Sequence, residues 1–492
     1  MSSPQPSVLR EALLRRAAAN SGSLAYTFGE EQLTFGELAD RASARGCALQ
    51  GRGIGHGDRV AIVMTPGPAL LEVFWALQLI GAVPCIVNPA MPSGTVAHRV
   101  ERVRPKVILT DTLADEIGAG RRALREPDVE AEDLAYLQLT SGTSGEPRAA
   151  MVTQRNVIAF VSARGGQGQI ADDDVLVSWL PPWHDFGLVR FIITPVYNGV
   201  GCHLLEPTIR SIPEWLYTIS RVRGTVTGGP DMAYRLAVRM ADPARVDLAS
   251  LRIASNGAEP VRWSTIERFE AHFDAPGRLL PGYGLAEATL SVAVHQPGEE
   301  RIVDARGNVS CGRPIPGLEV RAGVDLDHPE EIRVQGDTVF AGYLDAPEDT
   351  ARALRGDWLH TGDSGYLDDA GRLFVLGRRD GMLKRAGGVV APRELEEAAE
   401  QVEGVRIAAA ASVPPSGDSD PVIVVAVEAR LDQFSAEAIS AEVSRRVVAA
   451  VGFAPGRVVV VPPRTIPRTD NGKVRHGLLL AALGEDADGV GE

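Results

Sequence analysis

The sequence predicts an α/β protein: a large N-terminal region of parallel sheets with covering helices, a β-rich subdomain, and a small α+β C-terminal domain. Three observations carry this reading. Short apolar strands alternate with helices from Arg59 onward, the pattern of a parallel sheet covered on both faces. From about Ile302 to Leu376 the pattern changes to short strands and turns, and beyond Arg379 helix and strand alternate again. With 492 residues, 45% apolar and 23% charged, the chain has the composition of a soluble globular protein of a few domains.

The net charge of −14 is spread along the chain and argues against a nucleic-acid partner. The first residues lack a secretory apolar core, and no segment offers the roughly 18 uninterrupted apolar residues of a membrane span. A cytoplasmic protein with no membrane partner is expected. Cys47, Cys85, Cys202 and Cys311 lie far apart, without CxxC spacing or a nearby histidine cluster, so each is expected as a small buried apolar residue.

In chain order, Val8 to Ala19 reads as an amphipathic helix, Leu24 to Leu33 as a hairpin-like stretch and Phe35 to Gln50 as a second helix. Arg59 to Met64, Ala82 to Val87 and Val107 to Thr110 read as strands, with a helix from Ala69 to Gly81. The apolar run Leu134 to Leu139 then stops at Thr140-Ser141-Gly142-Thr143-Ser144-Gly145, with Pro147 and Arg148 following. Hydroxyls and backbone N–H groups in such a loop can surround a polyphosphate, because glycine lets successive amides turn toward one anion. Arg148 would add a permanent positive charge. Taken alone the stretch reads equally well as a surface turn, and its spacing fails the GxxxxGK nucleotide loop.

Later strands end in the same way. Val175 to Leu180 runs into Pro181-Pro182-Trp183-His184-Asp185-Phe186-Gly187, and Gly224 to Thr227 into Gly228-Gly229-Pro230. Leu251 to Ala254 runs into Ser255-Asn256-Gly257-Ala258-Glu259-Pro260, and Leu279-Leu280 into Pro281-Gly282-Tyr283-Gly284-Leu285-Ala286-Glu287. Ligands of open α/β sheets bind outside the carboxyl ends of the strands, so these loops should converge on one crevice. In the β-rich region EIRVQG, VFAGYL and RLFVLG read as strands, around the segment Trp358-Leu359-His360-Thr361-Gly362-Asp363. Helix and strand then alternate over Arg393 to Val402, Ile407 to Val413, Val422 to Ala429, Ala436 to Val451 and Arg457 to Val461. The acidic, glycine-containing residues 484–492 read as a disordered tail.

LTSGTSGEPR, NGAEP, GYGLAEAT, LHTGDSGYL, GRRDGMLKRAGGVVAPRELE and IPRTDNGK resemble, in order, the core motifs of the adenylate-forming superfamily. That superfamily includes acyl-CoA synthetases, peptide-synthetase adenylation domains and luciferases. The resemblance runs from about Leu137 to Lys473. It implies a two-step reaction using ATP, magnesium and a thiol such as coenzyme A. A carboxylate attacks the α-phosphate, pyrophosphate leaves, and the thiol then attacks the acyl adenylate.

The same resemblance implies roles for individual residues. Thr140, Ser141, Gly142, Thr143, Ser144 and Gly145, with Arg148, would hold the β- and γ-phosphates. Gly257, Ala258 and Glu259 would line the adenine, Tyr283 beside Gly284 would stack on it, and Glu287 would sit near magnesium. Asp363 and Arg378 would hold the ribose, and Lys473 would bridge the ribose and the carboxylate during adenylation. His184 would border the acyl and thiol tunnels, with Trp183, Phe186, Gly228, Gly229, Pro230 and Met232 beside the acyl chain. A large domain of residues 1–379 would meet a small mobile domain of residues 380–483 at the hinge Asp380, with Lys384, Gly387 and Gly388 lining the thiol tunnel. Singly, each has a plainer alternative. Tyr283 could be a core aromatic, Asp363 a turn residue, His184 a packing histidine, Lys473 a surface hairpin cation beside Asn471-Gly472, and the loop at Lys384 a polar hairpin.

NGAEPV, YGLAEATL and WHDFGL resemble most the fatty acyl-AMP ligases, which pass acyl adenylates to carrier proteins. That branch usually carries an insertion before the TGD motif, whereas here only residues 351–357 separate Thr350 from Trp358. The loop near Gly387 also resembles coenzyme A ligases more. Arg148 and Ala149 stand where the superfamily usually has lysine and glycine, and a guanidinium fork differs from a compact ammonium. The expected activity is an AMP-forming acid–thiol ligase giving an acyl-CoA from a hydrophobic carboxylic acid. Carrier-protein loading, thioester formation from a ready-made acyl adenylate, and non-catalytic nucleotide binding are the alternatives.

Overall fold

A computed structural model describes residues 5–117, 124–141, 146–162, 170–385, 388–413, 422–431, 433–467, 474 and 479. Leu24–Phe28 (β1) and Glu31–Thr34 (β2) form a hairpin that turns at Gly29, whose φ of 62° suits glycine. Thr34 then caps the helix Phe35–Gly51 reciprocally: its side chain accepts from the Glu37 N–H, and the Glu37 carboxylate accepts from the Thr34 N–H. Arg59–Val63 (β3), Val83–Ile86 (β4) and Val107–Thr110 (β5) pair in parallel in the order β4-β3-β5.

Leu134–Ser141 (β6) does not join the parallel strands with which the sequence grouped it. It pairs antiparallel with Pro147–Thr153 (β7), a strand that sequence reasoning passed over. Only residues 142–146 separate the two strands. A parallel pair needs a crossover of about a dozen residues or more, so this connection permits only a ribbon.

The largest sheet is built from Val175–Ser178 (β8), Gly201–Leu204 (β9), Val226–Gly229 (β10), Ile253–Asn256 (β11), Leu279–Gly284 (β12), Ser291–Val294 (β13) and Arg313–Pro314 (β14), together with β1 and β2. Its order is β14-β13-β12-β11-β10-β8-β9-β1-β2, parallel from β12 to β1 and antiparallel at both ends. Every residue of β10 and β11 is buried, as expected of strands covered on both faces. β10 and β11 run two residues and β12 four residues beyond the ends read from the sequence, whereas β8 stops two residues short at Ser178. Gly228, Gly229, Asn256, Tyr283 and Gly284 are therefore strand residues rather than loop residues.

Leu318–Arg321 (β15), Glu330–Gly336 (β16), Leu354–Arg355 (β17), Trp358–Leu367 (β18) and Leu373–Arg378 (β19) form the expected β-rich unit, antiparallel throughout. VFAGYL, read as a strand, is irregular and contributes one bridge, Tyr343 to Ala150. Farther on come the hairpin Leu383–Arg385 (β20) and Gly388–Val390 (β21), then Val405–Val413 (β22), Val422–Ala429 (β23) and Arg457–Val461 (β24) in one sheet. The apolar clusters around this last sheet draw only on residues 383–479. All four cysteines are buried. No helix among the described residues is long and apolar enough to cross a membrane.

Candidate active site

Because β12, β11, β10 and β8 are neighbours, their carboxyl ends lie side by side, which brings together loops far apart in sequence. Two of these ends need glycine. A Cβ on Gly284 would lie 1.7 Å from the Leu290 carbonyl oxygen, and one on Gly257 would lie 3.0 Å from that of Gly282. Ala258, just past β11, takes a left-handed φ of 67°, a conformation rare for residues other than glycine.

On one side of this edge the Tyr283 hydroxyl donates to Asp363 Oδ2 at 2.6 Å. Burial, together with the neighbouring Asp363 carboxylate, pushes the phenol well above its ordinary range, so it remains a neutral donor. Asp363 faces Arg378 across the β18/β19 ladder, and the Arg378 guanidinium lies 3.4 Å from Asp363 Oδ1 while donating to the Thr361 carbonyl at 2.9 Å. Glu331, absent from the sequence-derived set, braces this turn. It accepts from the Gly362 N–H at 3.2 Å and pairs with His360 at 2.8 Å and Arg379 at 3.2 Å.

Four residues beyond Tyr283, Glu287 accepts a 2.6 Å hydrogen bond from the Tyr343 hydroxyl. The Arg148 guanidinium lies over the same ring, 4.7 Å from its centroid, and 3.7 Å from Asp349 Oδ1. Thr140, near the end of β6, has its hydroxyl 3.5 Å from the Arg148 carbonyl oxygen. Residues 142–145, Gly387 and Lys473 lie outside the described residues, as do the side chains of Ser141, Asp380, Lys384 and Gly388. Among the described residues no group of three His, Cys, Asp or Glu could hold a metal ion. A magnesium ion here would have Glu287 as a single carboxylate anchor, which suits a hard cation that keeps phosphate and water oxygens around it.

The residues expected around the acyl chain lie at the end of β10 and in the segments that follow β8 and β10. The Phe186 ring lies against Gly228, where a Cβ would approach it to 2.6 Å, and Gly229 faces Ala233, Trp215 and Tyr234. The Trp183 carbonyl accepts from Gln138 Nε2 at 2.9 Å, tying this segment to β6. His184 precedes the helix Asp185–Leu188 and supplies the carbonyl for the Leu188 N–H at 2.8 Å. A π-helical turn, Val189–Ile193, follows, a feature frequent near functional sites. Pro230 leads into the helix Asp231–Met240, where the Met232 N–H donates to the Glu259 carboxylate.

Glu259 belongs to a charge cluster that no motif announced. Its carboxyl is pushed up to about 7 by burial and by the neighbouring Asp231. Asp231 is itself buried and accepts from Thr265 Oγ1 at 2.9 Å and from Asn256 Nδ2 at 3.2 Å, with Arg235 at 3.2 Å. Arg262 pairs with Glu400 at the end of the helix Pro392–Glu400, and Arg235 lies 3.7 Å from the same carboxylate. At the start of that helix Arg393 donates to Asn308 Oδ1 at 3.1 Å.

The fold and the strand-end residues define an adenylate-forming enzyme, and residues 13–344 match the family described as AMP-binding enzyme. The chain belongs to that family. Over 98% of its length it is 31% identical to the long-chain-fatty-acid–AMP ligase FadD26 of Mycobacterium marinum, covering 97% of that protein. It is 29% identical to the medium-chain-fatty-acid–acyl-carrier-protein ligase JamA of Moorena producens, over 97% of this chain and 95% of JamA. A solved structure among the fatty acyl-adenylate ligases of E. coli and L. pneumophila shares the fold with a TM-score of 0.85 at 24% identity, covering 99% of this chain and all of that one.

Proposed function

We propose that the protein is an AMP-forming acid–thiol ligase that activates a hydrophobic acid of the fatty-acid type as its acyl adenylate and transfers the acyl group to coenzyme A. The observation that carries this is the end of β12. Tyr283 there meets Asp363, which in turn lies beside Arg378, while Glu287, four residues later, meets Tyr343, whose ring face carries Arg148. A nucleoside on the first set and a polyphosphate near the second would span a single ATP. The carboxylate oxygen attacks the α-phosphorus and pyrophosphate departs; the thiol then attacks the acyl carbonyl and AMP departs. Magnesium, when bound, would neutralise phosphate charge beside Glu287. Lys473 would serve the first step. Rotation of residues 380–483 about Asp380 would bring Lys384, Gly387 and Gly388 to the second.

Coenzyme A is favoured over a carrier protein by the link before the TGD segment. Leu354–Arg355 pairs directly with Leu359 and Trp358, so only Gly356 and Asp357 form the turn. Carrier-protein loading is the second reading, supported by the names of FadD26 and JamA. The deciding experiment supplies medium, long and polycyclic acids with ATP and either coenzyme A or a phosphopantetheinylated carrier, and follows acyl-AMP and thioester by mass spectrometry. Acyl-CoA is the expected product. Acyl-AMP that accumulates until a carrier is added selects the second reading, and failure of every acid to give pyrophosphate release removes both.

A further inference from the structure

We propose that Tyr343 is a positioning residue of the adenylation step, orienting the Glu287 carboxylate with its hydroxyl and the Arg148 guanidinium with its ring face. The inference rests on the ATP site proposed above. Three chain segments meet at this tyrosine. The backbone of 341–344 is tied to β7 by the pairs Ala341 N–H to Met151 carbonyl, Met151 N–H to Gly342 carbonyl and Leu344 N–H to Ala149 carbonyl, each 2.9 Å. The Phe340 N–H donates to the Glu287 carbonyl at 2.9 Å. The ring is 5% exposed and is packed edge-on by Phe340 at 4.9 Å.

Its hydroxyl can serve Glu287 only as a donor. A carboxylate oxygen only accepts, so at 2.6 Å the phenol O–H must supply the proton of the bond. The hydrogen bond engages Glu287 Oε1, which restrains the carboxylate and would leave Oε2 to a cation. On the ring face, a planar guanidinium gains from stacking in a way that a compact ammonium does not. Arg148 Nε is buried and has no hydrogen-bond partner among the described residues. A buried N–H held in this state has the chemistry to donate to a phosphate oxygen.

The test compares Tyr343→Phe, Tyr343→Leu and Glu287→Gln by two readouts. Calorimetry measures the affinity for ATP with magnesium and with EDTA. Pyrophosphate exchange is followed against magnesium concentration, beside thioester formation from supplied acyl adenylate. Tyr343→Phe should weaken magnesium-dependent ATP binding by about tenfold, the scale of a hydrogen bond to a charged group, and leave binding in EDTA unchanged. Tyr343→Leu should weaken both, because Arg148 loses its platform. Tyr343→Phe and Glu287→Gln combined should cost less than the two separate losses multiplied together. Equal loss with and without magnesium, multiplicative variants, or equal loss of both half-reactions would overturn the proposal. If the wild type shows no pyrophosphate exchange with any acid, the ligase reading fails instead, and the calorimetric comparison still decides the role of Tyr343.

Discussion

At Glu259 the direction of the titration shift decides how stability follows pH. The folded protein raises this carboxyl from its ordinary 4.5 to about 7, so folding favours the protonated form. Its contribution to stability is fully present below about 4.5 and is lost as pH rises through about 7. Glu259→Gln removes the titration, and thermal unfolding should show the variant gaining on the wild type between pH 5 and pH 8. A constant difference across that range would contradict the assignment. Tyr283→Phe deletes the donor to Asp363 and should raise the KM for ATP by about tenfold. Lys473→Ala should slow adenylation by roughly 10²–10³-fold and spare thioester formation from supplied acyl adenylate, read by pyrophosphate exchange against mass spectrometry. Tyr283, Glu287, Asp363 and Arg378 were legible because each sits in a motif. Tyr343, Asp349 and Glu331 were not, since a tyrosine in AGYL and acids in polar stretches gain meaning only from partners brought near by folding.

Among the secondary-structure elements, most parallel strands declared themselves as apolar runs, although β9 was not read from the sequence. Their last residues did not, because glycine and tyrosine at a strand end read as the start of a loop. The β6/β7 ribbon escaped for a related reason: the polar residues between the strands drew attention away from the apolar alternation that follows Pro147. Glycine at these ends leads to two contrasting expectations. Gly284→Ala would drive a methyl group into rigid backbone and should destabilise the fold by roughly 1–3 kcal/mol, measured by denaturant unfolding. Gly228→Ala meets instead the far end of the Phe186 ring, which can swing aside. If this ring borders the acyl chain, the variant should keep its stability and change the preferred acid length in a substrate panel. Unchanged preference would remove Phe186 from the acyl pocket.

Across the whole molecule, the helix Pro392–Glu400 joins the C-terminal segment to the large sheet. Glu394 and Glu397 face this contact with carboxyls raised by burial, and Glu400 meets Arg262 and Arg235. Arg262 and Glu400 are 138 residues apart in sequence, so nothing local pointed to the pair. Removing one partner leaves a partly buried charge uncompensated. Glu400→Gln should therefore raise hydrogen exchange in this helix relative to β10 and β11, and unchanged exchange would show that the contact is incidental.

The four buried cysteines have a further consequence for the proposed reaction. An acyl adenylate is a mixed anhydride and acylates whatever thiolate it encounters. Burial pushes the Cys85 and Cys311 thiols up to about 12 and the Cys202 thiol well above its ordinary range, so none of the three offers a thiolate at neutral pH. If the proposed reaction holds, burial of these thiols would limit self-acylation and leave the activated intermediate to a sulfur delivered from outside.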